Sequence, residues 1–327
     1  MSRHSAASAP AVAQTTLGAL LDTACARLKN ARLAYGHGTT NARDEAAWLL
    51  LHALKLPLDT LTPYLGRAVT AAERRRVLQL VEKRIRRRVP AAYLLHEAWL
   101  GDHRFYVDER VIVPRSFIAE LLRERLSPWL VRPHRVRNVL DLCTGSGCLA
   151  VIAAEAFPKA HVDAVDISRD ALAVARRNVA AYRLRSRVRL LHSDMFSAVA
   201  NQRYDLIIAN PPYVPAAALR ALPREYRHEP KLALAGGKDG LDFVRVLLQQ
   251  AAHYLTPNGL LVVEVGHRRK QVEAAFPDLP FVWPLTSGGD DCVFILERRD
   301  LPVGPSYRAM PAGVRSRRPQ ARGSGRA

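Results

Sequence analysis

Apolar positions recur along this chain with two different periods, and the change of period divides it. From residue 17 to about 95 the spacing is helical throughout. Thr16-Leu17 opens an amphipathic run to Leu33. Asn41 to Leu54 follows, with a capping-type Asn41 and with Asp44 and Glu45 in its first turn. Thr70 to Arg88 comes next, where Thr70 and Glu73 have the spacing of a capping box. That third helix is predicted to place Val77, Leu78, Leu80, Val81 and Ile85 on its buried face. Its other face carries Arg74, Arg75, Arg76, Lys83, Arg84, Arg86, Arg87 and Arg88 against only Glu73 and Glu82, and reads as a solvated or partner-facing surface.

Residues 96–113 alternate in short extended pieces (Trp99, Phe105, Tyr106, Val107, Val111 to Val113) and read as a hairpin linker. From 114 to 299 strand-like and helix-like runs alternate, the pattern of a doubly wound α/β domain. The expected strands are Arg137–Leu142, His161–Asp166, Val188–His192, Asp205–Ala209, Gly259–Val265 and Cys292–Glu297. Helices are expected between them, for example Ser168 to Tyr182 and Asp239 to Leu255. The ends, 1–16 and 300–327, lack periodicity. The Ala- and Ser-rich start and the Pro-, Gly- and Arg-rich tail are expected to be disordered.

Composition narrows the class. The 327 residues are 49% hydrophobic, enough for a full core. The most apolar stretch, Val139 to Phe157, is interrupted by Asp141, Glu155 and the polar turn Thr144 to Gly147, so no membrane span is expected. Four cysteines without a Cys-x-x-Cys pair suit a reducing, cytoplasmic setting and imply neither disulfides nor a metal. The net charge of +19 is compatible with RNA-bearing partners and equally with a solvated basic surface.

The first candidate site follows the apolar strand at Asn138-Val139-Leu140. The run Asp141-Leu142-Cys143-Thr144-Gly145-Ser146-Gly147-Cys148 turns into a helix whose first N–H groups are available to a ligand. Gly-x-Gly alone is also a dinucleotide signal. Here, however, Asp141 stands where a carboxylate would repel a pyrophosphate, and it suits a ligand bearing an ammonium or sulfonium cation. The next strand ends at Asp166, which could accept bonds from both hydroxyls of a ribose, or could merely cap the following helix. A third strand ends at Ser193-Asp194-Met195-Phe196, placed to hold an adenine amino group with Asp194 and its face with Met195 or Phe196. Carboxylates at three successive strand ends line the carboxyl edge of one sheet, where such sheets bind ligands. The expected cofactor is S-adenosylmethionine, held by Asp141, Thr144, Gly145, Gly147, Asp166, Asp194, Met195 and Asn210.

The second candidate site is Asn210-Pro211-Pro212-Tyr213, at the end of the fourth strand. Two prolines stop the sheet and fix the backbone. The side-chain oxygen of Asn210 and the carbonyl of Pro211 can then accept both hydrogens of one planar NH₂ group, against the face of Tyr213. This suits methylation of an amide or exocyclic amine, whose conjugated lone pair reacts when it is held in line with the methyl donor. No nucleophile elbow, phosphate-loop lysine or metal-spaced histidine cluster competes. His228 is the one histidine of interest.

At these residues the chain resembles the N5-glutamine methyltransferases of the translation machinery, over about residues 17–299. The resemblance rests on Arg88-Val89-Pro90-Ala91-Ala92-Tyr93, Val113-Pro114-Arg115, the glycine loop, Asp166 and Asn210-Pro211-Pro212-Tyr213. It implies a seven-stranded class I (Rossmann-like) methyltransferase domain, 114–299, preceded by a small helical substrate-recognition domain, 17–95. Pro114-Arg115-Ser116-Phe117-Ile118 and Glu225-Tyr226-Arg227-His228-Glu229-Pro230 resemble the branch acting on large-subunit ribosomal protein three. The rivals are the branch acting on release factors, an adenine-N6 methyltransferase, and a non-catalytic RNA-binding protein that keeps the fold. Contact with rRNA or assembly intermediates is a further expectation from the charge.

Overall fold

The computed structural model describes residues 15–303, so the expectations for the two ends lie almost wholly outside the described residues. The chain divides between Leu95 and His96 into two compact units.

The first unit contains α1 (Leu17–Asn30), α2 (Ala42–Leu54), α3 (Ala71–Arg87) and the short α4 (Ala91–Leu95). Each of the three long helices begins at a polar side chain that satisfies exposed backbone N–H groups. Thr16 Oγ1 accepts from Ala19 N, Asn41 Oδ1 from Arg43 N and Asp44 N, and Thr70 exchanges bonds with Glu73 in a complete capping box. The apolar faces close on a core that includes Leu20, Leu21, Leu49, Leu50, Val77 and Val81.

Arg84 departs from expectation. It is fully buried and not on the solvated face, because positions 77, 81 and 84 follow the i, i+4, i+7 stripe. Burial of a guanidinium requires partners. Arg84 Nε donates to Glu45 Oε1 at 2.7 Å and Nη2 to the carbonyl of Ala34 at 2.9 Å. Leu78, Leu80 and Ile85 are only partly buried.

The second unit opens with a hairpin, β1 (Ala98–Leu100) and β2 (His103–Phe105), paired antiparallel. The hairpin is shorter than expected. Residues 106–113 form no ladder, although Val107, Val111 and Val113 are buried. The Asn178 side chain takes the place of a strand partner: its Oδ1 accepts from Tyr106 N at 2.8 Å and its Nδ2 donates to Tyr106 O at 3.0 Å. Helix α5 (Ile118–Arg123) follows, then β3 (Asn138–Leu142), α6 (Cys148–Ala156), β4 (His161–Asp166), α7 (Arg169–Ala181), β5 (Val188–His192) and β6 (Tyr204–Ala209). After these come α8 (Ala216–Ala221), α9 (Lys231–Leu234), α10 (Asp242–Gln250), β7 (Leu255–Glu264), α11 (Arg269–Ala275) and β8 (Val293–Glu297).

The sheet order is β5-β4-β3-β6-β7-β8, parallel except for β8. This sheet has six strands among the described residues where the family resemblance implies seven. Beside β8, the seventh place is taken by one antiparallel bridge between Val282 and Ile295. The run expected to be helical from Asp239 to Leu255 is shorter. Tyr204 N donates to Tyr254 O at 2.7 Å, which draws the chain into the ladder from Leu255 onward.

Separate apolar cores pack on the two faces of the sheet, one including Val139, Ile152, Val162 and Val262, the other Leu140, Ile207, Leu247 and Val263. The chain runs outward from β3 to β4 and β5 on one side, and from β6 to β7 on the other. The strand order therefore reverses between β3 and β6, where open α/β sheets place their ligands.

Candidate active site

A cavity of about 270 Å³ lies at that reversal. Its wall includes Gly145 after β3, Asp166 at the end of β4 with Ile167 after it, and Asn210 and Pro212 after β6. The 109–112 segment and Pro230, Leu232 and Ala233 cover it.

The glycine loop is held on both sides. Thr144 N donates to Val165 O at 3.0 Å, tying it to β4, and the Asn178 amide donates to Ser146 O at 2.8 Å. Gly145 has φ 55° and faces open space, so its missing side chain serves the backbone turn and leaves room in the cavity. Gly147 serves packing instead: a Cβ there would lie 3.1 Å from Ala175 Cβ on α7.

Asp141 does not line the cavity. It is fully buried, Thr144 Oγ1 donates to its Oδ2 at 2.6 Å, and its Oδ1 has no protein partner. Burial pushes its pKa up to about 7. Thr144, like Asp141, lies outside the cavity lining. The orphaned carboxylate oxygen at the strand end is the feature that fits a cationic group of a bound cofactor.

Asp166 is not the cap of α7. Its Oδ2 accepts from Gly145 N and its Oδ1 from Ser168 N, both at 2.9 Å, while the N-cap of α7 is Ser168 itself. The carboxylate is therefore fixed on the cavity wall. Asp166→Ala is expected to raise the cofactor dissociation constant about 10- to 100-fold, the value of one charge-assisted bond. Calorimetric titration with S-adenosylmethionine measures it, and an unchanged constant removes the ribose role.

Asp194 and Met195 stand at the next strand end, outside the cavity lining. Met195 has φ 47° and is buried, and Ser193 Oγ donates to its carbonyl at 2.7 Å. Phe196 is not available to an adenine. It is fully buried and stacks on Tyr254 with ring centroids 4.1 Å apart. Of the two faces expected there, Met195 alone remains.

Asn210 is half-buried, and Pro211 is buried beside it. The tetrapeptide is held at its C-terminal end. Val214 N donates to Leu234 O and Gly236 N to Val214 O, both at 2.9 Å, and Arg268 Nε donates to Tyr213 O at 3.1 Å. A Cβ on Gly236 would come within 2.7 Å of Tyr213 Cα, so this glycine serves close approach more than a turn. Burial raises the pKa of the Tyr213 hydroxyl, so it stays protonated at neutral pH.

The two stretches that distinguished the family branch meet here. Arg115 donates to both oxygens of Glu229, at 2.8 and 2.6 Å, and Val113 N donates to the same carboxylate at 3.1 Å. The Glu229 side chain is 0% exposed. His228 contacts Glu109 at 3.2 Å beside the cavity rim.

One residue was missed in the sequence: Glu264, at the end of β7. It accepts from Ser116 Oγ at 2.5 Å and Phe117 N at 2.9 Å, and burial pushes its pKa up to about 7. Only its place at a strand end could have marked it. Folded Glu264 holds its proton more tightly than the unfolded chain, whose value is near 4.5. Its contribution to stability therefore falls as pH rises from about 4.5 to about 7, and is level above. Glu264→Gln is expected to reduce the loss of stability between pH 5 and pH 8, read from urea unfolding at the two values. An identical loss in both proteins rejects this assignment.

Comparison with known proteins agrees with this geometry. Residues 19–95 match the family described as PrmC N-terminal domain, and residues 119–222 match the methyltransferase small domain. The ribosomal protein uL3 glutamine methyltransferase of Bordetella pertussis is 56% identical over 286 residues, covering 88% of this chain and 96% of that protein. The protein of the same name from Neisseria meningitidis serogroup B is 54% identical over 287 residues, covering 88% and 94%. That of Bradyrhizobium diazoefficiens is 49% identical over 281 residues, covering 84% and 88%. The α/β unit is thus a class I, Rossmann-like methyltransferase domain following a small helical one. With identity above half across nearly the full length of such relatives, the chain belongs to the ribosomal protein uL3 glutamine methyltransferase family.

Proposed function

We propose that this enzyme methylates the side-chain amide nitrogen of a glutamine in ribosomal protein uL3, with S-adenosylmethionine as donor. The observation that carries the reading is the placement of Asn210 and Pro212 on the wall of the cavity that also contains Gly145 and Asp166. The Asn210 side chain, one of the two proposed amide acceptors, thereby borders the pocket proposed for the cofactor.

S-adenosylmethionine supplies an electrophilic methyl group when bound. Asp166 would hold its ribose, Gly145 leaves room for it, and the orphaned Asp141 oxygen suits its cationic end. Asn210 Oδ1 and the Pro211 carbonyl accept the two amide hydrogens, which turns the nitrogen lone pair away from both acceptors. Orientation of this kind can supply roughly 7–11 kcal/mol. The nitrogen becomes acidic once it is methylated, so its proton leaves to solvent and no strong base is needed. Tyr213, protonated and backed by Gly266, offers a wall to the amide plane.

The substrate places the reaction in the cytoplasm, where ribosomal proteins are made and assembled. Exposed Arg74, Arg75, Arg76 and Lys83 on α3 support encounter with RNA-bearing assembly intermediates through their charge. The test is a methylation assay with labelled S-adenosylmethionine, offering purified uL3, a release factor and DNA in parallel. Label on uL3, mapped to a glutamine, is the expected result. Label on the release factor alone overturns the substrate, and label on DNA overturns the reaction class.

A further inference from the structure

Beyond the methyl-transfer site, three side chains with metal-binding chemistry converge at the end of β7 and the start of β8. We propose that His267, Asp291 and Cys292 form a zinc-type transition-metal site next to the wall formed by Tyr213. His267 Nδ1 lies 2.9 Å from Asp291 Oδ1 and 3.5 Å from Cys292 Sγ, and Sγ lies 3.4 Å from the same Asp291 oxygen. The three donors form a compact triangle. A tetrahedral zinc ion bonded at 2.0–2.3 Å requires donor separations of about 3.3–3.8 Å. Two edges are already there, and the third needs to open by roughly 0.4 Å, within the reach of an exposed imidazole on the same criterion.

The scaffold holds these donors in place. Val265 N donates to the Cys292 carbonyl at 2.8 Å, locking the ends of the two strands together. The 286–289 turn is closed by reciprocal bonds between Thr286 and Gly289 at 3.0 Å. Gly266, with φ 58°, turns the chain from β7 to His267, and its Cα faces the Tyr213 ring. Asp290 is paired with Arg269 at 3.2 Å, so it does not supply a fourth ligand. The fourth position falls to solvent on the open side, where the His267 side chain is 71% exposed.

A nucleophilic Cys-His-Asp relay is the competing reading of the same residues, and the geometry disfavours it. A relay needs the imidazole to contact the thiol with one nitrogen and the carboxylate with the other. Here both contacts fall on Nδ1. One thiolate, one imidazole and one carboxylate make a mixed donor set suited to zinc and unsuited to magnesium. On binding, the Cys292 S–H bond breaks, sulfur keeps the electron pair for the metal, and the proton goes to solvent.

The experiment uses the untagged full chain, stripped with chelator and titrated with Zn²⁺ by calorimetry and with Co²⁺ by absorption. Expected are one equivalent of Zn²⁺, no heat with Mg²⁺, and a thiolate-to-cobalt charge-transfer band in the near ultraviolet. Cys292→Ser loses the band. His267→Ala, a surface change that leaves the core intact, binds at least roughly tenfold more weakly. Absence of stoichiometric Zn²⁺ binding, or binding and band unchanged in His267→Ala, overturns the proposal. These readouts do not involve methylation, so a failure here is distinct from a failure of the proposed activity.

Discussion

Asn210→Ala is expected to lower kcat by about 10²–10³-fold, the usual loss when one fixed polar contact to the reacting group is removed. The dissociation constant of S-adenosylmethionine should change by no more than a few fold, although Asn210 also borders the cavity. The contrast follows from where the contacts lie. Asp166 is fixed by Gly145 N and Ser168 N and does not depend on Asn210. The target amide depends on Asn210 for one of its two hydrogen acceptors, and without it the nitrogen can rotate out of line. Single-turnover methylation of uL3, with calorimetry of the cofactor, separates the two effects. Normal turnover in the variant would sink the proposed grip on the amide. A parallel collapse of cofactor affinity would instead place Asn210 chiefly in the cofactor site.

Arg115→Ala is expected to have the largest effect on stability among changes at the site. The Glu229 side chain is fully buried and Arg115 is only 25% exposed. Removal of the guanidinium leaves a carboxylate in a dry position that keeps the bond from Val113 N but has lost its charged partner. Breaking a buried pair in this way costs about 3–5 kcal/mol. The guanidinium also lies 5.6 Å from the centre of the Tyr226 ring, so the 224–230 segment loses a second contact. Pro230, Leu232 and Ala233 follow directly and cover the cavity, so turnover should fall along with stability. Urea unfolding of Arg115→Ala, Glu229→Gln and the double variant completes a cycle. A double variant as unstable as the sum of the singles would show that the two groups do not couple.

The glycine loop, the strand-end carboxylates and the Asn-Pro-Pro-Tyr turn were legible in the sequence because strand ends are marked locally. A run such as Leu206-Ile207-Ile208-Ala209 stops where Pro211 and Pro212 cannot continue a ladder. Helix starts were legible for the same reason: the bonds from Thr16, Asn41 and Thr70 to the first-turn N–H groups span two or three residues. The strand-end residues pointed to the cofactor and to a planar NH₂ group, and the family resemblance added that this group is a glutamine side chain of a ribosomal protein.

Pairings across the fold were decided only by tertiary structure. Arg84 meets Glu45 across 39 residues, Arg115 meets Glu229 across 114, and Ser116 meets Glu264 across 148. Read as a charge run, Arg84 looked solvated, and its burial depends on α3 packing against α2. Phe196 looked available to a ligand until Tyr254 covered its face. Similarly, His267 and Asp291 lie 24 residues apart, with none of the close spacing that marks a metal motif. Periodicity states which side of an element a residue occupies, and local bonds state where the element begins. The partner that a side chain meets on that side is set by strand order and helix packing, which bring distant segments to one sheet edge.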